Sequence, residues 1–131
     1  MPIDCTPRPE DGFVEVTWSG TITADDLSRR WSEILTDPEV LRIGRALTDL
    51  READLAFSGA ELARAVLTVA VPALQGRKWR AAIVVRSPVQ HGVSHQYEVF
   101  ARELGEDGIF FDLDAARRCL LQEATDPIRG E

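Results

Sequence analysis

Apolar positions along this chain change period several times, and each change marks an element. Over residues 13–18, Phe-Val-Glu-Val-Thr-Trp, an extended chain places Phe13, Glu15 and Thr17 on one side and Val14, Val16 and Trp18 on the other, which predicts a half-buried strand. Glu10-Asp11-Gly12 ahead of it is a turn signal, so residues 2–6 are expected to pair back as a short, proline-flanked antiparallel edge. Thr23 and Asp26 form a T-x-x-D version of the box that opens helices, and Asp25 and Asp26 stand near the positive end of the helix dipole. Leu27, Trp31, Ile34 and Leu35 then repeat as one apolar stripe, predicting a helix over residues 24–35. Asp37-Pro38 ends it, because a proline ring disfavours helical geometry in the residue before it.

The next strand is expected at residues 45–50, followed by a connection over residues 51–57. Leu62, Ala65, Val66, Val69 and Ala70 give the next helical stripe, which Pro72 and Gly76 are expected to end. Residues 79–86, with an apolar run from Ala81 to Val85, fit a central strand covered on both faces. Val93, Tyr97, Phe100, Ala101 and Leu104 form the third helical stripe, with Gly105 placed to close it in a left-handed turn. Ile109-Phe110-Phe111 is a short strand, after which Asp112 or Asp114 caps a last helix that turns Ala115, Ala116, Cys119 and Leu120 inward. The order β-β-α-β-α-β-α-β-α predicts an α/β fold: a mixed, mostly parallel sheet with right-handed crossovers and an N-terminal antiparallel hairpin. One domain is expected over residues 1–131, with its core at roughly 10–122 and with 1–9 and 125–131 dispensable.

Composition narrows the function classes. Hydrophobic residues at 44% and charged residues at 28% of 131 exclude a disordered chain, and no apolar run reaches the ~20 residues of a membrane span. A net charge of -7 and a pI near 4.8 disfavour nucleic acid and anionic lipid as partners, and Arg77-Lys78-Trp79-Arg80 is too short to track phosphates. The polar N-terminus carries no signal-peptide pattern, so a cytoplasmic protein is expected. Cys5 and Cys119 fit neither a disulfide framework nor a zinc set, and Cys119 is expected to be buried. No cofactor signature is present.

Four phrases carry a resemblance: VEVTWSGTITADDL leading from the first strong strand into a helix, ALTDL at a strand end, AAIVV in the centre, and IFFDLDAARRCLL at the close. With this element order the chain resembles the SpoIIAA-like proteins of the STAS/SEC14-type fold, distantly related to bacterial anti-sigma factor antagonists. The resemblance covers roughly residues 10–122 and implies a small regulatory or ligand-binding module rather than a defined reaction. In the wider STAS group an Asp-Ser-Ser-Gly turn carries a phosphorylated serine. Here the matching place reads Ala56-Phe57-Ser58-Gly59, without the aspartate.

Two readings of Ser58 follow. With Glu61 it makes an S-x-x-E capping box flanked by Phe57 and Leu62 as a hydrophobic staple, which accounts for four residues at once; the other reading is a phosphorylated switch. Asp49 ends a strand at the sheet edge where ligands settle in open α/β sheets, and Arg86 and the loop to His95 follow the central strand at the same edge. Asp49, Arg86, His91, Ser94 and His95 are therefore the candidate ligand-binding residues, Arg86 offering a guanidinium and the amides near Ser94 further donors. His91, His95 and Glu98 share a helix face only if the helix starts early, and Gly92 argues against it, so no metal site is expected. Ser58, His91 and Asp49 have the residue types of a hydrolase triad but no nucleophile elbow, and no catalytic residue is expected. Trp18, Trp31 and Trp79 read as core or edge residues. The leading expectation is a non-enzymatic regulatory module acting through protein contact, as a homodimer or with another protein; the alternative is a binder of a small amphipathic or anionic ligand, and a hydrolase comes last.

Overall fold

The computed structural model describes residues 2–102 and 104–121 and is built on a five-stranded sheet in the order β1-β2-β3-β4-β5. The strands are β1 (Ile3–Arg8), β2 (Phe13–Thr23), β3 (Arg45–Ala56), β4 (Arg80–Val84) and β5 (Glu106–Phe110). The first pair is antiparallel and the remaining three pairs are parallel, so the expected mixed, mostly parallel sheet with its N-terminal hairpin is the one found. The helices are α1 (Ala24–Ile34), α2 (Pro38–Ile43), α3 (Gly59–Ala65), α4 (Val71–Leu74), α5 (Pro88–Phe100) and α6 (Leu113–Leu121), and a π-helical turn, Val66–Ala70, joins α3 to α4.

Strand alternation sorts the layers. Val14, Val16 and Trp18 of β2 join the larger core with Leu27 and Ile34 of α1, Leu62 and Ala65 of α3, and Ala70 and Leu74. Phe13, on the opposite face, joins Leu47, Ala82 and Val84 beneath Ala116 and Leu120 of α6. The crossover helices thus share one face of the sheet, and α6 covers part of the other.

Several expectations are corrected. The hairpin arm is not dispensable: β1 pairs along its whole length from Ile3 opposite Trp18 to Arg8 opposite Phe13, and Ile3 is fully buried, a side-chain burial that stabilises by about 2 kcal/mol. Residues 125–131 lie outside the described residues. Strand β3 runs through the expected connection to Ala56, because a bulge resets its alternation. Thr17 opposes Asp49 and Ser19 opposes Glu52, so Trp18 faces two residues, Leu50 and Arg51. Leu50 in the bulge and Ala53 and Leu55 after it consequently face the same core.

Pro72 does not end the second helical segment. The Val71 N–H bonds to the Val66 carbonyl five residues back, and the proline, which has no N–H to give, falls in the first turn of α4. Helix α5 begins at Pro88 and runs through Gly92, and its last residue, Phe100, is 40% exposed rather than inward. Gly105 has no positive φ and caps nothing; a Cβ there would collide with the Trp79 carbonyl, which is why glycine stands at this approach of backbones. Cys119 is exposed, since Ala116 and Leu120 define the inner face of α6. Of the two aspartates proposed to cap that helix, Asp112 does so, its Oδ2 accepting from the Ala115 N–H at 3.0 Å. Helix α2 was not foreseen: Asp37 caps it, Pro38 opens it and Gly44 closes it at φ 71°.

Candidate functional site

The three crossover helices leave a gap above the middle of the sheet. A cavity of about 80 Å3 lies there, floored by β2, β3 and β4 through residues such as Val16, Thr48 and Ile83. Its walls are aromatic: Trp18 from β2, Trp31 from α1, Trp79 ahead of β4 and Tyr97 from α5, with Phe57 where β3 gives way to α3. Trp31 and Tyr97 meet edge to face, ring centroids 5.7 Å apart, and both are only partly buried. Among the described residues, no side chain with a formal charge lines the cavity. Protein interiors are ordinarily filled to the density of organic crystals, so a gap of this size among large rings is a departure from ordinary core packing.

Two polar atoms in these walls have no hydrogen-bond partner among the described residues, the Trp18 indole Nε1 and the Ser94 Oγ. Trp18 is 5% exposed and Ser94 3%. Buried polar atoms are paired in the great majority of cases, so two orphans lining one cavity are informative.

The residues proposed at the sheet edge do not converge on a single pocket. Asp49 accepts a two-pronged ion pair from Arg51, through Nε at 3.0 Å and Nη2 at 2.9 Å, and also the Arg51 N–H at 3.0 Å. Burial alone would raise the Asp49 carboxyl, but the hydrogen bonds and charge of Arg51 outweigh it and hold the carboxyl below its ordinary value. Arg86 reaches Glu52 at 3.2 Å across exposed surface. His91 stacks on Phe111 with centroids 5.6 Å apart, and His95 Nδ1 sits 3.7 Å from Glu98. Ser58 Oγ accepts from the Glu61 N–H at 3.0 Å while the Glu61 Oε1 accepts from the Ser58 N–H at 2.8 Å, the full capping box. Asp49, Ser58 and His91 are thus each engaged separately and assemble no triad. Among the described residues, no group of three or more His, Cys, Asp or Glu side chains is arranged to hold a metal ion.

Ser94 alone of the candidates lines the cavity, and not for the reason proposed. The serine that opens α5 is Ser87, whose Oγ accepts from the Gln90 N–H at 3.1 Å, so Ser94 falls two turns inside the helix and faces the core. Gln90, missed in the sequence, ties α5 to the bulge. Its Nε2 donates to the carbonyls of Ala53 at 3.0 Å and Arg51 at 3.4 Å, and its Oε1 accepts from the Arg86 N–H at 2.7 Å. The signal was available: Ser87-Pro88-Val89-Gln90 reads as a capping box with proline at the first helical position. The convergence of three tryptophans far apart in sequence left no such local signal.

No helix among the described residues is long and apolar enough to cross a membrane. No protein-family model and no curated protein matches the chain. Among solved structures, it is similar to an uncharacterised protein of the DUF3478 family with a SpoIIAA-like fold from Shewanella loihica PV-4, at 23% identity and a TM-score of 0.60. The likeness spans 90% of this chain and 91% of that one, and with the strand order and crossovers described above it establishes the fold of the chain as SpoIIAA-like.

Proposed function

We propose that this protein is a non-enzymatic binding module that takes a small, largely apolar molecule into the cavity between the sheet and helices α1, α3 and α5. The observation that carries this reading is the gap of about 80 Å3 walled by Trp18, Trp31, Trp79 and Tyr97. Small-molecule sites are concave, mostly apolar, and carry a few placed polar groups. The partly exposed Trp31, Val93 and Tyr97 give such a molecule a route in. The two free thiols accord with action in a reducing compartment such as the cytoplasm.

All three tryptophans of the chain line the cavity, so intrinsic fluorescence reports its occupancy directly. Titration with cyclopentanone should change that emission saturably, and Ala70→Leu, which places three more carbons at a buried wall position, should abolish the response. A linear, unsaturable response that is equal in the variant would refute the proposal.

Contact with another protein chain is a second reading, favoured by the exposure of Leu67 at 66%, Val99 at 47% and Phe100 at 40%. Such contact is the means by which a regulatory role or a homodimer would arise. Light scattering after gel filtration tests the homodimer, which a monomer at high micromolar concentration would exclude.

A further inference from the structure

We infer that the molecule bound in the cavity is neutral and presents a hydrogen-bond acceptor, a carbonyl or ether oxygen, to the indole N–H of Trp18 and the hydroxyl of Ser94. This rests on the binding reading above and adds the chemical class. An indole nitrogen can only donate, and a hydroxyl has one hydrogen to donate, so an oxygen acceptor on the ligand is the group that meets a demand the protein leaves open. Both atoms are orphans, on side chains 5% and 3% exposed, in the wall of the same cavity. Ser94 has an ordinary way out that it does not take. A hydroxyl inside a helix can bond back to a carbonyl one turn earlier, as that of Thr68 does at 2.8 Å.

The walls also set what the ligand is not. Among the described residues no formal charge lines the cavity, so a carboxylate or ammonium entering it would lose its hydration without an ionic partner, a cost of several kcal/mol. That disfavours the anionic class considered from the sequence: Arg86, the cation offered for it, pairs with Glu52 on the surface and does not line the cavity. The volume sets a size. At about 80 Å3 the gap is roughly half of the ~150 Å3 apolar cavity that accepts benzene, so a ring of five or six atoms fits only with some outward movement of Val93 and Tyr97.

The test compares cyclopentanone with methylcyclopentane, close in size but without an acceptor, by tryptophan fluorescence on wild type, Ser94→Ala and Trp18→Phe. Taking the ratio of the two dissociation constants within each protein, and comparing that ratio across proteins, cancels the different water solubilities of the probes. Wild type should favour the ketone by about tenfold more than either variant does, the effect of one buried hydrogen bond. Trp18→Phe keeps two reporter indoles, so the readout survives the loss of the third. If the ratio is the same in all three proteins while both probes bind, the acceptor assignment is overturned and the binding reading stands. If neither probe binds up to its solubility limit, the binding reading falls and the inference with it. Cyclopentanecarboxylate binding at neutral pH as tightly as cyclopentanone would overturn the neutral class.

Discussion

Ser94→Ala and Ser58→Ala remove the same atom from two helices and should change stability in opposite directions. The Ser94 hydroxyl is buried at 3% exposure with no partner, and an unsatisfied buried polar group costs about 1–3 kcal/mol. Alanine also suits a helix interior better than serine by about 0.5 kcal/mol, and the dispersion lost with one oxygen is only a few tenths. The net expectation without ligand is a gain of about 1–3 kcal/mol. Ser58 Oγ, by contrast, accepts the Glu61 N–H at 3.0 Å as a helix cap, and its removal should cost about 1 kcal/mol. With a urea slope of about 2 kcal/mol per molar for a chain of this size, the midpoints should move by about 0.5 M or more upward for Ser94→Ala and by about 0.5 M downward for Ser58→Ala. Protein that native mass spectrometry shows to be free of bound mass is the material to unfold, since a ligand on the Ser94 hydroxyl would stabilise wild type and hide the gain. A lowered midpoint for Ser94→Ala would refute the reasoning, because it would mean that the hydroxyl is satisfied, by water for instance, and that no open demand exists in the cavity.

Four further outcomes are expected. Asp49 is held below its ordinary pKa in the fold, so the stability it supplies is fully present above about pH 4 and is lost as the pH falls through the depressed folded value; the gap in urea midpoint between wild type and Asp49→Asn should be constant near neutrality and close toward pH 2. Gln90→Leu strands the Ala53 and Arg51 carbonyls and should cost about 1–3 kcal/mol in chemical denaturation, with a change in tryptophan emission as α5 loosens over the cavity; an unchanged spectrum and midpoint would deny its role as a tie. Gly105→Ala drives a Cβ into the Trp79 carbonyl and should lower the melting temperature by several degrees, whereas Gly92→Ala, with open space at its Cβ, should raise it or leave it unchanged. Burial first of all raises the Cys5 thiol pKa, with Asp37 adding to and Arg30 opposing the rise, so iodoacetamide at pH 8 should label exposed Cys119 well before Cys5 by peptide mass spectrometry.

The parts of the fold that were legible were those whose signal is local. The alternation of residues 13–18 assigned Val14, Val16 and Trp18 to one layer and Phe13 to the other, as the two cores show. The Thr23 and Ser58 boxes placed the starts of α1 and α3. Errors gathered where one irregular residue resets a period. A bulge opposite Trp18 made a single twelve-residue strand read as a short strand and a loop, and the π-helical turn at residues 66–70 made a tolerated Pro72 read as a terminus. Asp49 and Arg86, proposed as part of a site at the sheet edge, are engaged instead by residues that were not proposed, Asp49 by Arg51 and Arg86 by Glu52. Pairing across two residues or thirty-four leaves nothing that a sequence pattern records.

Those same two irregularities bear on why the cavity exists. Ala65 aside, the buried residues of the second helical segment fall at Leu62, Val66, Ala70 and Leu74, every fourth position. In an α-helix of 3.6 residues per turn, each step of four turns the side chain about 40° further round, and three such steps would carry Leu74 off the inner face. A π-helical turn takes more residues per turn and absorbs part of that drift, keeping Ala70 and Leu74 over the sheet. Below them the bulge places Trp18 opposite two residues of β3, and strand bulges bend and twist the sheet locally. A widened helix with alanine at its inward position thus faces a bent sheet bearing its largest side chain, and neither surface is the regular ridge or pleat that close packing requires. Gln90 then bridges α5 to the bulge and sets Ser94, one turn further on, in the cavity wall. Since bulges and π-helical turns are both concentrated near functional sites, their joint presence around unpaired Trp18 and Ser94 favours a gap kept for a ligand over a core that has failed to fill.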